Sequence, residues 1–113
     1  MTGADTRLLA RADDLLGGRT RLPPALAARA AAWFGRSALE SIVVGRLKEH
    51  GIDATKATMR SRLACLRVVD PLFGEAAGLI WAGLTRCCHH HAFELSPSAA
   101  EIQSYLKALR DGY

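Results

Sequence analysis

The segment LTRCCHHHAFEL, residues 84–95, gathers the side chains best suited to chemistry: one arginine, two cysteines and three consecutive histidines. Histidine titrates near neutral pH and can transfer protons, whereas arginine stays charged and binds phosphate. Thiolate and imidazole groups are also the usual ligands of zinc. The segment therefore predicts one of three sites: a metal centre, a reactive thiol, or a pair of side chains that cleaves phosphodiesters.

A metal centre is the first possibility, because Cys87 and His91 are four residues apart and would share one face of a helix. Two ligands do not complete a zinc site. Cys65 and His50 are the other candidate ligands, and neither lies in a ligand motif. Three consecutive histidines point about 100° apart on a helix, so they cannot all bind one ion. We therefore expect no metal and no cofactor. A metal- or thiol-based regulator that uses Cys87 and His91 remains a third hypothesis for the function of the protein.

A reactive thiol is the second possibility. Cys87 and Cys88 follow Arg86, whose positive charge would favour a thiolate. They lie in the middle or late part of a predicted helix, however, and not at its N-terminus, where the helix dipole would lower the pKa of a thiol. Small buried cysteines are common in protein cores, and this structural interpretation is the one that we favour.

The third possibility pairs Arg86 with a histidine. RNA cleavage requires a base that takes the proton of the 2′-hydroxyl and an acid that protonates the leaving 5′ oxygen. It also requires positive charge near the phosphorane-like transition state. An arginine and a histidine from each of two facing copies would meet all three needs without a metal.

Length and composition describe one small basic domain. The chain has 113 residues, with 15 Lys and Arg against 11 Asp and Glu, and a net charge of +4. An arginine-rich surface suits phosphate contact, although ordinary solvated charge explains the same balance. Three cysteines, two of them adjacent, indicate reduced thiols and a cytoplasmic location. The sequence has no apolar leader and no apolar run of about 20 residues, so we expect no membrane association.

Helical periodicity runs through the chain, and no segment alternates in the manner of a strand. The prediction is an all-α fold, a compact bundle of four to five antiparallel helices in a single domain, 1–113. Within it, 1–22 form an N-terminal helix and connection, and 23–113 form the core bundle. Glycines end the first helix, about 5–16, and the second, about 24–50.

Capping residues predict where the other helices begin. Thr55 or Thr58 caps a third helix, MRSRLACLRVV. Asp70, followed by proline, begins a fourth helix that is expected to carry the histidines. Ser98 and Glu101 have the spacing of a capping box, which would begin the last helix.

Placed at intervals of about 100°, the residues of the fourth helix form two stripes. One stripe would face the bundle and contains Phe73, Ala77, Ile80, Leu84, Cys87, His91 and Leu95. The other would face a second neighbour and contains Leu72, Leu79, Gly83, Arg86 and His90. We expect that neighbour to be a second subunit, with Gly83 allowing its backbone to approach closely.

The run from Arg86 to His91 resembles the R-x(4-6)-H signature of the HEPN superfamily, small helical bundles that include many metal-independent ribonucleases. The surroundings are similar too: a long helix AARAAAWFGRSALESIVVGRL, the helix MRSRLACLRVV, a tryptophan shortly before the arginine, and the continuation HAFELSPSAAEI. The likeness extends from about Pro24 onward.

The resemblance implies a homodimer in which two such motifs meet in a cleft and cut RNA to leave a 2′,3′-cyclic phosphate. By position, Arg86 would hold the scissile phosphate and His91 would transfer protons. In this sequence Cys87 stands where family members commonly have a small polar residue. On a regular helix Arg86 shares its stripe with His90 instead, so His90 remains the alternative working histidine.

Two further pairs of residues have more than one interpretation. Arg36 and Glu40, four residues apart, form either an exposed ion pair or a polar pair in which Glu40 orients Arg86. Trp33 and Trp81 are interpreted as core or interface anchors in preference to base-stacking platforms.

The resulting hypothesis is a toxin-like, metal-independent endoribonuclease. Its expected partners are RNA, a second copy of the chain and, if one exists, an antitoxin protein. The alternative is a non-catalytic HEPN-like bundle that binds RNA, a nucleotide or a partner protein.

Overall fold

The structure, a computed structural model, describes residues 2–89 and 98–112. Over these residues the chain forms helices and no strand, which confirms the predicted all-α bundle. The helices are α1 (Gly3–Leu16), α2 (Pro24–Glu49), α3 (Met59–Val69), α4 (Pro71–Cys88) and α5 (Ala99–Gly112). None of these helices is both long enough and apolar enough to cross a membrane.

α1 begins two residues earlier than predicted because Thr2 and Asp5 form a capping box. The Thr2 hydroxyl accepts a hydrogen bond from the Asp5 backbone N–H at 3.1 Å, and the Asp5 carboxylate accepts one from the Thr2 N–H at 3.0 Å. Such reciprocal bonds satisfy two amides that the first helical turn leaves free. The start of α1 is therefore fixed by a pair that the sequence analysis did not single out.

α2 is the long central helix, and its boundaries match the prediction closely. Proline occupies its first turn, where a missing N–H costs nothing. At the other end Gly51 has φ +78°, a left-handed conformation that suits glycine just beyond a helix. α2 packs against each of the other four helices.

Asp70 joins α3 to α4 and fixes the direction of the turn between them. Its carboxylate accepts a hydrogen bond from the Phe73 N–H at 3.4 Å, as an N-cap does, and pairs with Arg46 of α2 at 2.8 Å. The Arg46 guanidinium also lies 4.4 Å from the centre of the Phe73 ring. These contacts tie the beginning of α4 to α2. At the start of α3, Thr58 is the N-cap, one of the two predicted candidates.

The core lies between α2 and the helices around it. Its largest fully buried apolar side chains are Leu9, Leu39, Val43, Leu47, Leu66, Phe73, Leu84, Ile102, Leu106 and Leu109. Gly35 is one point of close packing between α2, α4 and α5, since a Cβ there would lie 2.7 Å from a methyl carbon of Leu106 and 3.5 Å from one of Leu84. Because α5 is held against α2 and α4 at this point, its first turns are positioned beside the end of α4.

The end of α4 differs from the prediction. The helix stops at Cys88, and His89 has φ −105° and ψ 107°, an extended conformation. The expectation that the fourth helix carries the histidines is therefore wrong at His89, which follows the end of α4. His90 and His91 lie outside the described residues.

Candidate functional site

Arg86 occupies the last turn of α4, and its side chain is 60% exposed. Its Nη2 atom donates to Oε1 of Glu101 and, at 3.1 Å, to the hydroxyl of Tyr105. The Tyr105 hydroxyl in turn donates to Oε1 of Glu101 at 3.3 Å. The three side chains form a closed set of hydrogen bonds between α4 and α5, which we call the Arg86 triad.

Three local features position the triad. The hydroxyl of Ser98 accepts a hydrogen bond from the Glu101 N–H at 3.1 Å, which is one half of the predicted capping box, while the Glu101 carboxylate contacts Arg86. Glu101 and Tyr105 are four residues apart and therefore lie on one face of α5. Gly83 of α4 leaves room for Tyr105, because a Cβ there would lie 2.3 Å from Cζ of the tyrosine ring.

Gly83 was expected to admit the backbone of a second subunit, and that expectation is wrong. The residue is buried, and the space beside it is filled by Tyr105 of the same chain. A small residue on a helix indicates a close approach but does not identify the neighbour. At Gly83 the neighbour is Tyr105 of α5.

The surroundings of Arg86 favour its charged form. The hydrogen bond to Tyr105, followed by the negative charge of Glu101, raises the pKa of Arg86. Both contacts use Nη2, so among the described residues the Nη1 and Nε groups of Arg86 have no hydrogen-bond acceptor. A guanidinium held at one nitrogen, with other donors free and exposed, can bind a phosphate oxygen.

The predicted histidine partners, His90 and His91, lie outside the described residues. His89 is exposed, and its backbone N–H donates to the Arg86 carbonyl at 3.2 Å. The chain leaves α4 in an extended conformation at His89.

The adjacent cysteines differ from reactive thiols. Cys87 is only 2% exposed and belongs to the core. Burial above all raises the pKa of Cys87 to about 11, and the charge of Glu101 adds to this while Arg86 opposes it. Burial also raises the pKa of Cys88, although Arg36 opposes the shift. Both groups are therefore protonated thiols at neutral pH, which fits the structural interpretation of Cys87.

The other cysteine and histidine named as candidate ligands lie apart from this site. Cys65 is exposed on α3, and His50 follows the end of α2. Over residues 2–89 and 98–112, no group of three or more His, Cys, Asp or Glu side chains is arranged to hold a metal ion.

Arg36 and Glu40 do not join the Arg86 triad. The carboxylate that contacts Arg86 is Glu101, not Glu40. Arg36 instead places its guanidinium carbon 4.3 Å from the centre of the Trp81 ring. Positions 81 and 86 point about 140° apart on a helix, so Arg36 and the triad lie on opposite flanks of α4.

The two tryptophans also differ in environment. Trp81 is half-buried and packs against the core. Trp33, by contrast, is 61% exposed on α2, so of its two predicted roles the core anchor is wrong and the interface anchor stays a prediction. The exposed indole lies beside Arg36, Ser37 and Glu40.

α4 also carries an exposed apolar stripe that ends at Arg86. Leu72 is 88% exposed and Leu79 is 67% exposed, and Val68 at the end of α3 is 80% exposed. The two leucines and Arg86 follow one another at seven-residue intervals, so they lie on one side of the helix. Each interval spans about 10 Å along the axis.

Sequence reasoning missed Tyr105 and the ion pair made by Glu101. The i,i+4 spacing of Glu101 and Tyr105 opposite an arginine could have indicated them, and so could a glycine on the inner side of α4.

Comparisons of the chain with protein-family models, with curated proteins and with solved structures found no match.

Proposed function

We propose that this protein is a metal-independent endoribonuclease of the HEPN type that acts in the cytoplasm as a homodimer. The observation that supports this most is the state of Arg86. It is exposed, it is held by Glu101 and Tyr105 through one nitrogen, and two cysteines separate it in sequence from the histidine run.

In the proposed reaction, one histidine takes the proton of the ribose 2′-hydroxyl, and the resulting oxygen attacks the adjacent phosphorus. The bond to the 5′ oxygen breaks, and a second histidine donates a proton to that leaving oxygen. The products are a 2′,3′-cyclic phosphate and a free 5′-hydroxyl. Arg86 stabilises the charge that builds up on the phosphate oxygens. His91 is the first candidate for the proton transfers and His90 the second.

Glu101 and Tyr105 are proposed as positioning residues. A guanidinium on a flexible side chain loses rotamer entropy when it binds, and contacts that fix it beforehand reduce that loss. The phosphate would bind at Nη1 or Nε, so the Glu101 ion pair at Nη2 need not break.

The proposed dimer forms through the stripe on α4. Exposed leucines gain stability when a second surface covers them, and Leu72 and Leu79 lie on the same side of α4 as Arg86. A two-fold axis near this stripe would bury both leucines in each protomer and would bring the two Arg86 residues to one cleft.

A second candidate is a bundle of the same kind that binds RNA or a partner protein, such as an antitoxin, without cleaving RNA. The ion pair between Arg86 and Glu101 favours it, because the carboxylate offsets the positive charge that would stabilise the transition state of cleavage.

Incubation of single-stranded RNA with the purified protein in EDTA separates the two candidates. Cleavage by the wild-type protein that is lost in both Arg86→Ala and His91→Ala supports the ribonuclease. RNA that is retained but intact supports the binding protein. Arg60→Ala is the matched control, because it removes an exposed arginine from α3 and should leave cleavage unchanged.

A further inference from the structure

Trp33 is a large exposed aromatic side chain with arginines on both sides. It lies on α2 with 61% of its surface exposed, four residues after Arg29 and three before Arg36. Residues at these spacings are neighbours on one helix face. Within residues 2–89 and 98–112, neither arginine forms an ion pair with a carboxylate.

Contacts with α4 hold both guanidinium groups in place. Arg36 stacks over the Trp81 ring at 4.3 Å, and its Nε atom is buried with no acceptor among the described residues. Arg29 donates from Nη2 to the carbonyl of Cys88 at 3.5 Å, at the end of α4. Two positive charges are thus fixed on either side of the exposed indole.

A small hollow of about 240 Å³ lies next to the indole, lined by Trp33, Arg36, Ser37 and Glu40. It contains an aromatic wall, a cation, a hydroxyl and a carboxylate. Pockets for drug-sized ligands begin at about 300 Å³, so this hollow suits a single planar group. The Ser37 hydroxyl donates to the Trp33 carbonyl at 3.1 Å, which leaves its oxygen able to accept a hydrogen bond.

We infer that this α2 face is a binding site for single-stranded nucleic acid, separate from the Arg86 triad. An unpaired base stacks on the Trp33 indole, and Arg29 and Arg36 contact the phosphates on its two sides. Stacking on exposed aromatic rings flanked by cations is how proteins hold single strands. Double-stranded nucleic acid would bind more weakly, because its bases are stacked on each other and cannot reach the indole.

Glu40 gives the site a preference among bases. A carboxylate accepts hydrogen bonds from N–H groups, and the Watson–Crick edge of guanine carries adjacent N–H donors, whereas the same edge of adenine carries one amino group beside an acceptor. Because Glu40 lines the hollow beside Trp33, the site should favour guanine over adenine.

The test measures binding of a labelled oligouridine that contains one guanine, by fluorescence anisotropy in EDTA. Every protein in this test also carries His90→Ala and His91→Ala, so that the proposed cleavage cannot degrade the probe. Trp33→Leu should weaken binding about 10-fold or more, whereas Trp33→Phe, which keeps an aromatic face, should weaken it much less. Arg29→Gln and Arg36→Gln should each reduce the dependence of log K on log salt by about 0.7, and Arg60→Gln on α3 should not change binding through this site.

An independent readout comes from the indole itself. The chain has two tryptophans, so in Trp81→Phe the fluorescence arises from Trp33 alone. We expect the oligonucleotide to quench this emission and duplex RNA of the same charge to quench it much less. A DNA strand of the same sequence shows whether the 2′-hydroxyl contributes, and Glu40→Gln should remove the preference for guanine over adenine.

Three results would overturn the inference: Trp33→Leu binding as tightly as the wild type, duplex binding as well as single strands, or Trp33→Leu reducing self-association instead of RNA binding. The quenching of Trp33 reports this face alone, so it should persist in Arg86→Ala even though that variant loses the phosphate contact of the triad. Cleavage can be absent while this binding persists, so the inference and the proposed function fail independently.

Discussion

The ring of Tyr105 lies directly on Gly83, where an added Cβ would stand 2.3 Å from Cζ and 2.4 Å from the hydroxyl oxygen. This contact packs α5 against α4 and places the tyrosine hydroxyl within hydrogen-bond distance of Arg86. The position of the arginine therefore depends on the absence of a side chain one turn earlier in its own helix.

Gly83→Ala is expected to destabilise the protein by about 1 kcal/mol. Overpacking against the Tyr105 ring costs about 1–3 kcal/mol, which the better helix propensity of alanine only partly offsets. Gly45→Ala is the matched control, because Gly45 lies within α2 with no atom within 4 Å of an added Cβ. That variant should gain about 0.5–1 kcal/mol. If urea unfolding shows equal changes in the free energy of unfolding for the two variants, Tyr105 does not pack on Gly83.

Glu101→Gln and Tyr105→Phe test the positioning of Arg86. Each variant removes one contact to the guanidinium and keeps the shape of the side chain, so we expect cleavage to slow about 10-fold, corresponding to about 1.4 kcal/mol. Wild-type cleavage rates in both variants, with Arg86 still required, would contradict a positioning role. Glu75→Gln on the exposed side of α4 serves as the control for loss of a carboxylate.

Leu79→Glu should convert the proposed dimer to a monomer. A charge placed in the middle of an apolar interface is costly to bury and repels its symmetry mate. Leu22→Glu is the control, since Leu22 is also exposed, at 42%, but lies before α2 and away from the stripe. Sedimentation equilibrium should report a dimer for the wild type and the control and a monomer for Leu79→Glu. Equal masses for all three proteins would rule out this face as the interface.

Alkaline pH should destabilise the fold through Cys87. Its pKa rises from about 8.5 in an unfolded chain to about 11 in the folded protein, chiefly because of burial. Between these values the unfolded state has lost the thiol proton that the folded state keeps, so stability falls as pH rises from about 8.5 to about 11. The free energy of unfolding, measured with urea at pH 8 and pH 10.5, should fall more between these two pH values in the wild type than in Cys87→Ala. An equal loss in both would contradict burial of a protonated thiol.

The same burial predicts unequal alkylation of the cysteines. Cys65 is exposed on α3, whereas Cys87 is buried. Iodoacetamide at pH 8 should therefore label Cys65 in the folded protein and reach Cys87 only after denaturation, as peptide mass spectrometry can show. Rapid labelling of native Cys87 would indicate that the end of α4 opens readily.

Much of the fold was predictable because local chemistry fixes it. Prolines and glycines marked both ends of α2, and Asp70 marked the junction between α3 and α4. The beginning of α1 was predicted late, since a threonine at the second position of the chain was not considered as a cap. The end of α4 was missed because the histidine run carries no proline or glycine, the residues that usually interrupt a helix.

The candidate site was predictable only in part. Arg86 was identified by its type and its neighbours in sequence, but its partners come from α5, which tertiary packing brings alongside. Gly83 indicated a close approach, and periodicity could not tell an internal helix from a second subunit. Trp33 was interpreted as a core or interface anchor because large aromatic residues are usually buried, whereas its exposure follows from which side of α2 the other helices cover.

The most direct test of the proposed function is the rate at which 2′,3′-cyclic phosphate ends form on single-stranded RNA in EDTA, measured for the wild type and for Arg86→Ala under single-turnover conditions. Loss of a group that stabilises charge in the transition state typically slows a reaction about 100- to 1,000-fold, and we expect a decrease of that size. Equal rates in the two proteins, or no cyclic phosphate from the wild type, would contradict RNA cleavage at Arg86.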